Sequence, residues 1–132
     1  MEAKQPGTDG HSDRLPYLAM RLAITQGLAE PDLQELWLGC LLHDIGKIAI
    51  PDAILLKPGR LSPEETEIVR KHPIIGEKIC APLNALRLIL PMIRHHHERI
   101  DGSGYPDGLC GEGIPLKVRI LNVKLLLLNP IK

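Results

Sequence analysis

Imidazole and carboxylate stand next to each other at His43 and Asp44, and imidazoles recur at His11, at His72 and in the run His95, His96 and His97, which Glu98 follows. His43 and Asp44 extend by one step the apolar stripe of Leu36, Cys40 and Leu41, so both point where a core belongs. Burying an ionised carboxylate alone costs several kcal/mol, so Asp44 must be paired, protonated or bound to metal. The plainer alternative pairs Asp44 with Lys47 and leaves His43 as a helix cap. Successive helical positions splay by ~100°, so adjacent imidazoles of the run can reach two sides of one centre, an arrangement that two metal ions would satisfy. A solvated helix end is the alternative there, but the run is internal and precedes a glycine-rich stretch. His72 alone would be a plain surface residue, and His11 lies in a polar stretch where exposure is the simplest reading.

The elements that must position these residues read as helices. Leu15, Leu18, Ala19, Leu22 and Ala23 recur at helical spacing before Gly27, and Leu33, Leu36, Trp37, Cys40 and Leu41 do so after Glu30, Pro31 and Asp32, with Gly46 as the stop. Ile50, Pro51 and Asp52 make an irregular connection and a short turn through Leu55. Ser62, Pro63, Glu64 and Glu65 supply a cap, an N1 proline and acidic charge for a third helix, expected to end near His72 before Pro73. Ile74–Cys80 and Asn84–Leu90 also read helical, and Pro91 either opens a separate last turn or kinks a helix that continues toward His97. Asp101–Pro115 holds five glycines in 15 residues, which predicts an irregular loop, and Leu116–Leu128 reads as a closing helix.

No alternating strand pattern or repeat appears, so the expected fold is all-α, with residues 1–10 as a polar arm and 11–132 as one helical domain. The 132 residues are 44% hydrophobic and 24% charged, which excludes a disordered chain, and the longest apolar stretch is too short and too interrupted to span a membrane. Sixteen basic and sixteen acidic side chains cancel, so there is no bulk attraction to DNA or anionic lipid, and a polyanionic ligand must be held locally. With no Phe, one Trp and two Tyr, aromatic platforms for stacking bases are scarce. Cys40, Cys80 and Cys110 form no C-x-x-C pair, and Met1–Gly10 lacks the apolar core of a secretory signal, so a reducing cytoplasm is expected.

His43, Asp44, Ile45, Gly46 and Lys47 match the HD signature of metal-dependent phosphohydrolases. His96, His97, Glu98, Arg99, Asp101, Gly102, Ser103, Gly104, Tyr105 and Pro106 match the extended signature of the HD-GYP subfamily. From about His11 to Val123 the chain thus resembles the HD-GYP family, the cyclic di-GMP phosphodiesterases of bacterial signalling. The resemblance implies an HD-domain bundle of about five to seven helices with a glycine-rich loop. It implies two divalent ions, iron or manganese, with His11, His43, Asp44, His72, His96 and His97 as ligands and Asp44 bridging. Carboxylate and imidazole suit those ions, and a metal pair suits phosphodiester hydrolysis. Asp44 and Lys47 would be catalytic, Lys47 neutralising a phosphate oxygen unless it only pairs with Asp44. Lys47, Arg99, Asp101, Gly102, Gly104, Tyr105 and Pro106 would face the substrate, cyclic di-GMP or a related cyclic dinucleotide, unless Tyr105 is only a packed anchor for its loop.

Two positions depart from the family. Gly7 stands where some members carry a glutamate for a third metal, and Leu125 stands where the closing helix normally supplies an aspartate. A two-metal centre with weak binding at one site and slow turnover is therefore expected. The alternative is a degenerate module that binds nucleotide or partner with little or no catalysis. A truncated or altered C-terminus, a missing sensory domain and homo-oligomerisation complete the expectations.

Overall fold

The computed structural model describes the backbone of residues 9–128 and the side chains of residues 16–123. Helices α1 (Asp9–Thr25) and α2 (Glu30–Leu42) pack against each other, followed by a 3-10 segment at Ile45–Ala49 and the single turn α3 (Asp52–Leu55). Helices α4 (Pro63–Val69) and α5 (His72–Cys80) come next, then a 3-10 segment at Asn84–Ile89, α6 (Leu90–His95), a 3-10 turn at Gly111–Gly113 and α7 (Leu116–Leu128). Among the described residues the only extended pairing is one antiparallel bridge between Asp101 and Cys110. The fold is all-α, as the periodicity predicts.

The core lies where α1, α2, α6 and α7 meet: Ala19, Ala23, Leu36, Cys40, Met92, Ile93, Val118 and Leu121 are all buried. Burying such aliphatic side chains contributes roughly 1.5–3 kcal/mol each, which offsets the chain entropy of ordering short helices. Helix α4 starts as its sequence dictates. Ser62 Oγ accepts from Glu65 N at 3.1 Å while Ser62 N donates to Glu65 Oε1 at 2.8 Å, a reciprocal capping box with Pro63 at the first helical position.

Several boundaries differ from the sequence reading. Helix α2 ends at Leu42, not at Gly46, and His43 and Asp44 lie in the turn beyond it. Leu41, expected in the core stripe, is exposed, and Gly39 is buried in its place. This helix is apolar on more than one face, so spacing alone does not select the inward one. The third predicted helix ends at Val69, because Pro73 opens α5 and does not close its predecessor. Asn84–Ile89 is 3-10, and Pro91 begins a separate short helix, one of the two alternatives for that position. Asp101–Pro115 is irregular apart from the Gly111–Gly113 turn, as five glycines require. No helix among the described residues is long and apolar enough to cross a membrane.

Candidate metal centre

Three of the histidines occupy equivalent places. His43 caps the C-terminus of α2, His96 caps that of α6, and His72 follows three residues after the end of α4. Each points its Nδ1 at a backbone carbonyl three residues earlier: His43 at Cys40 (2.7 Å), His72 at Val69 (2.7 Å) and His96 at Ile93 (2.9 Å). The last carbonyls of a helix lack intrahelical partners, so each ring satisfies one of them by donating its Nδ1–H. That bond selects the tautomer and leaves the Nε2 lone pair on the far side of the ring.

The three Nε2 atoms converge on Asp44. Oδ1 of Asp44 lies 3.3 Å from His72 Nε2 and 3.2 Å from His96 Nε2, while Oδ2 lies 3.3 Å from His43 Nε2 and 3.5 Å from Lys47 Nζ. The two imidazole nitrogens of His72 and His96 are 3.1 Å apart. His97 joins them: ligand atoms of Asp44, His72, His96 and His97 all lie within 4.8 Å of one another. Lone pairs facing each other and a carboxylate at such distances repel unless a cation lies among them. Donors ~2.1 Å from one ion and at right angles would stand ~3 Å apart, so the spacing fits a metal ion. Three helix C-termini, each one imidazole ring away, add negative potential of the same sense. The residues present therefore fit the metal that the donor set implies, and each oxygen of Asp44 faces a different set of partners.

The glycine-rich loop is built onto the same segment. Glu98 is buried, and its carboxylate accepts from Asp107 N (Oε2, 2.8 Å) and Leu109 N (Oε1, 2.9 Å), while its carbonyl accepts from Asn122 Nδ2 of α7 (2.8 Å). Arg94 grips Asp107 through two N–H groups at 2.8 and 2.9 Å and donates to Glu77 of α5 at 2.8 Å. Gly104 presses so closely on the backbone that a Cβ there would sit 2.3 Å from the His97 carbonyl oxygen. Tyr105 N donates to that oxygen at 3.2 Å, and the Tyr105 ring stacks on His97 with centroids 4.9 Å apart and planes 12° from parallel.

A model of the HD domain family matches residues 1–126. The chain belongs to the HD-domain family. It is 43% identical to the cyclic di-GMP phosphodiesterase response regulator RpfG of Xanthomonas campestris, over 93% of this chain and 33% of that protein. It is 44% identical to a cyclic di-GMP phosphodiesterase of Thermotoga maritima, over 92% of this chain and 34% of the relative. Among solved structures, Bd1817, a HDG"Y"P protein from Bdellovibrio bacteriovorus, matches with a TM-score of 0.70 and 25% identity, over 92% of this chain and 42% of that one. The HD domain described here thus spans about a third of the length of these curated relatives.

Of the residues singled out from sequence, the HD-domain fold brings His43, Asp44, Lys47, His72, His96 and His97 together, with Tyr105 against them. Gly102 has a positive φ of 83°, Gly104 lies against the histidine turn, and Pro106 follows Tyr105 in the loop. Arg99 and Asp101 are exposed, and the Asp101 carboxylate accepts from Ser103 N and Ser103 Oγ, so it shapes its own turn. The side chains of His11 and Leu125 lie outside the described residues, as does Gly7. Sequence reasoning missed the part played by Glu98, whose partners are backbone N–H groups nine and eleven residues on and His95 Nδ1 at 3.3 Å, and Arg70, whose guanidinium lies over the Tyr105 ring at 4.9 Å. The acidic residue closing a histidine run was the available signal for the first.

Charge at the centre is divided unevenly. Burial opposes the His43 cation, but the Asp44 charge and hydrogen bond outweigh it and raise the His43 pKa. Burial also disfavours the Asp44 carboxylate, yet His43 and the hydrogen bonds of His72 and His96 hold it well below the usual range. His96 is pushed down to about 4, mainly by burial, and His97 falls too, by burial and its imidazole neighbours. The metal-free protein should therefore be most stable near neutrality. As pH falls from 6.5 toward about 4, the unfolded chain protonates at His96 while the native state does not, so His96 alone removes roughly 3 kcal/mol. Rising pH through the elevated His43 value removes the stability of its pair with Asp44. Urea midpoints measured between pH 4 and pH 9 in EDTA should trace this dome. A midpoint that is flat below neutrality would contradict the neutral state of His96.

Proposed function

We propose that this HD domain is the catalytic part of a cyclic dinucleotide phosphodiesterase of the HD-GYP type, opening cyclic di-GMP to the linear dinucleotide or GMP. The observation that carries the reading is the convergence of three tautomer-locked Nε2 atoms on one shared carboxylate, beside a glycine-rich loop. The relatives named above carry cyclic di-GMP phosphodiesterase in their descriptions, and a Vibrio cholerae relative 40% identical over 92% of this chain and 26% of its own length is described as 3'3'-cGAMP-specific. Cyclic di-GMP is therefore the first substrate of a class.

In this reading His11, His43, Asp44, His72, His96 and His97 hold two divalent ions, iron or manganese by the chemistry of the donor set. When bound, such ions supply Lewis-acid stabilisation of a phosphodiester and a nucleophile at neutral pH. Lys47, 3.5 Å from Asp44 Oδ2, offsets charge on a phosphate oxygen at the centre's edge. The Gly102–Pro106 loop receives the rest of the dinucleotide, with the Tyr105 ring presented by its stack on His97 and Arg99 and Asp101 at the rim. The protein acts in the cytoplasm, as an assembly with regulatory parts or with a second copy.

The test is direct. The chain is loaded separately with iron(II) and manganese(II), metal content is measured, and products from cyclic di-GMP, 3'3'-cGAMP and cyclic di-AMP are separated by chromatography. Linear dinucleotide or mononucleotide from at least one guanine-containing substrate is expected. Fully metal-loaded protein that opens none of the three would overturn the proposal.

A further inference from the structure

A cyclic dinucleotide carries two phosphodiesters, and only one can sit at the metal centre at a time. The other must be held by some cation at the rim, because the chain as a whole has no net charge to offer. Several basic side chains are already engaged in ion pairs. Arg94 is held by Asp107 and Glu77, Lys57 by Glu65, and Lys117 by Asp32 and Glu35.

Arg70 is different. It follows the last turn of α4, two residues before His72, and is exposed. Its guanidinium lies 4.9 Å from the centroid of the Tyr105 ring, and Tyr105 in turn stacks on His97. The three side chains make a column from the buried cluster to the surface. A guanidinium held over an aromatic face keeps N–H donors that the ring does not use. Among the described residues no carboxylate pairs with those donors. An arginine already held against an aromatic ring loses less freedom on gripping an anion, and its fork matches two phosphate oxygens.

We propose that Arg70 binds the second phosphodiester of the cyclic dinucleotide at the rim of the centre, using the Tyr105 ring as its platform. The assignment rests on the phosphodiesterase reading above and names where the unreacted half of the substrate is held. Arg70 would then govern affinity for cyclic dinucleotides without touching the metal ligands.

The experiment is calorimetric titration of the manganese-loaded 132-residue chain with a hydrolysis-resistant phosphorothioate analogue of cyclic di-GMP. Three variants are compared. Arg70→Met keeps an apolar contact with Tyr105 but has no donors, Arg70→Lys keeps the charge but not the fork, and Arg70→Ala removes both. Arg70→Met and Arg70→Ala should each weaken binding about tenfold or more, with Arg70→Lys between them and the unmodified chain, while metal content and melting temperature stay the same in all. Unmodified affinity in Arg70→Met overturns the assignment, whether or not Arg70→Ala is weakened, because the contact with Tyr105 would then be packing alone. Failure of the unmodified chain to bind the analogue at all overturns the phosphodiesterase reading itself, and the Arg70 assignment with it.

Discussion

Replacing Asp44 with alanine is expected to strip the centre of metal and lower phosphodiester hydrolysis by about a thousandfold or more, while the helical content stays intact. Both carboxylate oxygens face the imidazoles, with Oδ1 toward His72 and His96 and Oδ2 toward His43, so one substitution removes the only acidic group in the cluster of described ligands. Neutral imidazoles alone bind a divalent cation with no charge compensation, and the loss is correspondingly large. Asp44→Asn separates charge from shape, since the amide keeps one oxygen acceptor at nearly the same place. It should retain the fold and lose most of the metal. Elemental analysis after dialysis reads the outcome, with circular dichroism as the check on folding. Metal content near that of the unmodified chain in Asp44→Ala would mean that the cluster is not a metal centre built on this carboxylate.

The second large effect is expected at Gly46. The 3-10 segment Ile45–Ala49 crosses the start of α5 so closely that a Cβ on Gly46 would stand 1.9 Å from the carbonyl oxygen of His72 and 2.7 Å from the amide nitrogen of Gly76. Both obstacles are backbone, so no rotamer change relieves them. Gly46→Ala must push α5 away from Asp44, and a displacement of that kind costs about 3 kcal/mol or more, near the upper end for single substitutions. A lower urea midpoint is the first readout. Variant protein that still folds should bind less metal, because His72 is carried on the displaced backbone. An unchanged midpoint together with unchanged metal content would show that this crossing is looser than described.

The residues of the cluster were legible in the sequence because their chemistry is costly anywhere else. An aspartate continuing an apolar stripe and a triple histidine before a glycine-rich stretch both ask for a shared partner, and the fold brings His43, Asp44, His72, His96 and His97 into one place. How they are held was not legible. Periodicity placed His43 inside a helix and His72 at a helix end closed by proline, whereas each sits in a turn or at a new start where a spare carbonyl fixes its ring. A proline after His72 carries two opposite messages, stop and start, and only the packing of α5 against the Ile45–Ala49 segment decides between them. The acceptors of Nδ1 and the Asp107 and Leu109 donors to Glu98 are backbone groups, so no sequence pattern marks them. Asn84–Ile89 shows the same limit, since an apolar run does not distinguish a 3-10 segment from an α-helix.

The attachment of the loop to Glu98 and Arg94 bears on how this domain can vary over evolutionary time. A residue added between Glu98 and Asp107 would shift the amides of Asp107 and Leu109 relative to a buried carboxylate that accepts from both. The same insertion would drag Asp107 from Arg94, and through it from α5. Gly111 and Gly113, by contrast, have open space where a side chain would go, as does Gly59 in the turn before α4. Insertions are thus expected to be borne better at the Gly111–Gly113 turn and around Gly59 than between Glu98 and Asp107. The stretch from Glu98 to Leu109, a separation of eleven residues, behaves as a ruler, and lengthening it would require new partners for the carboxylate.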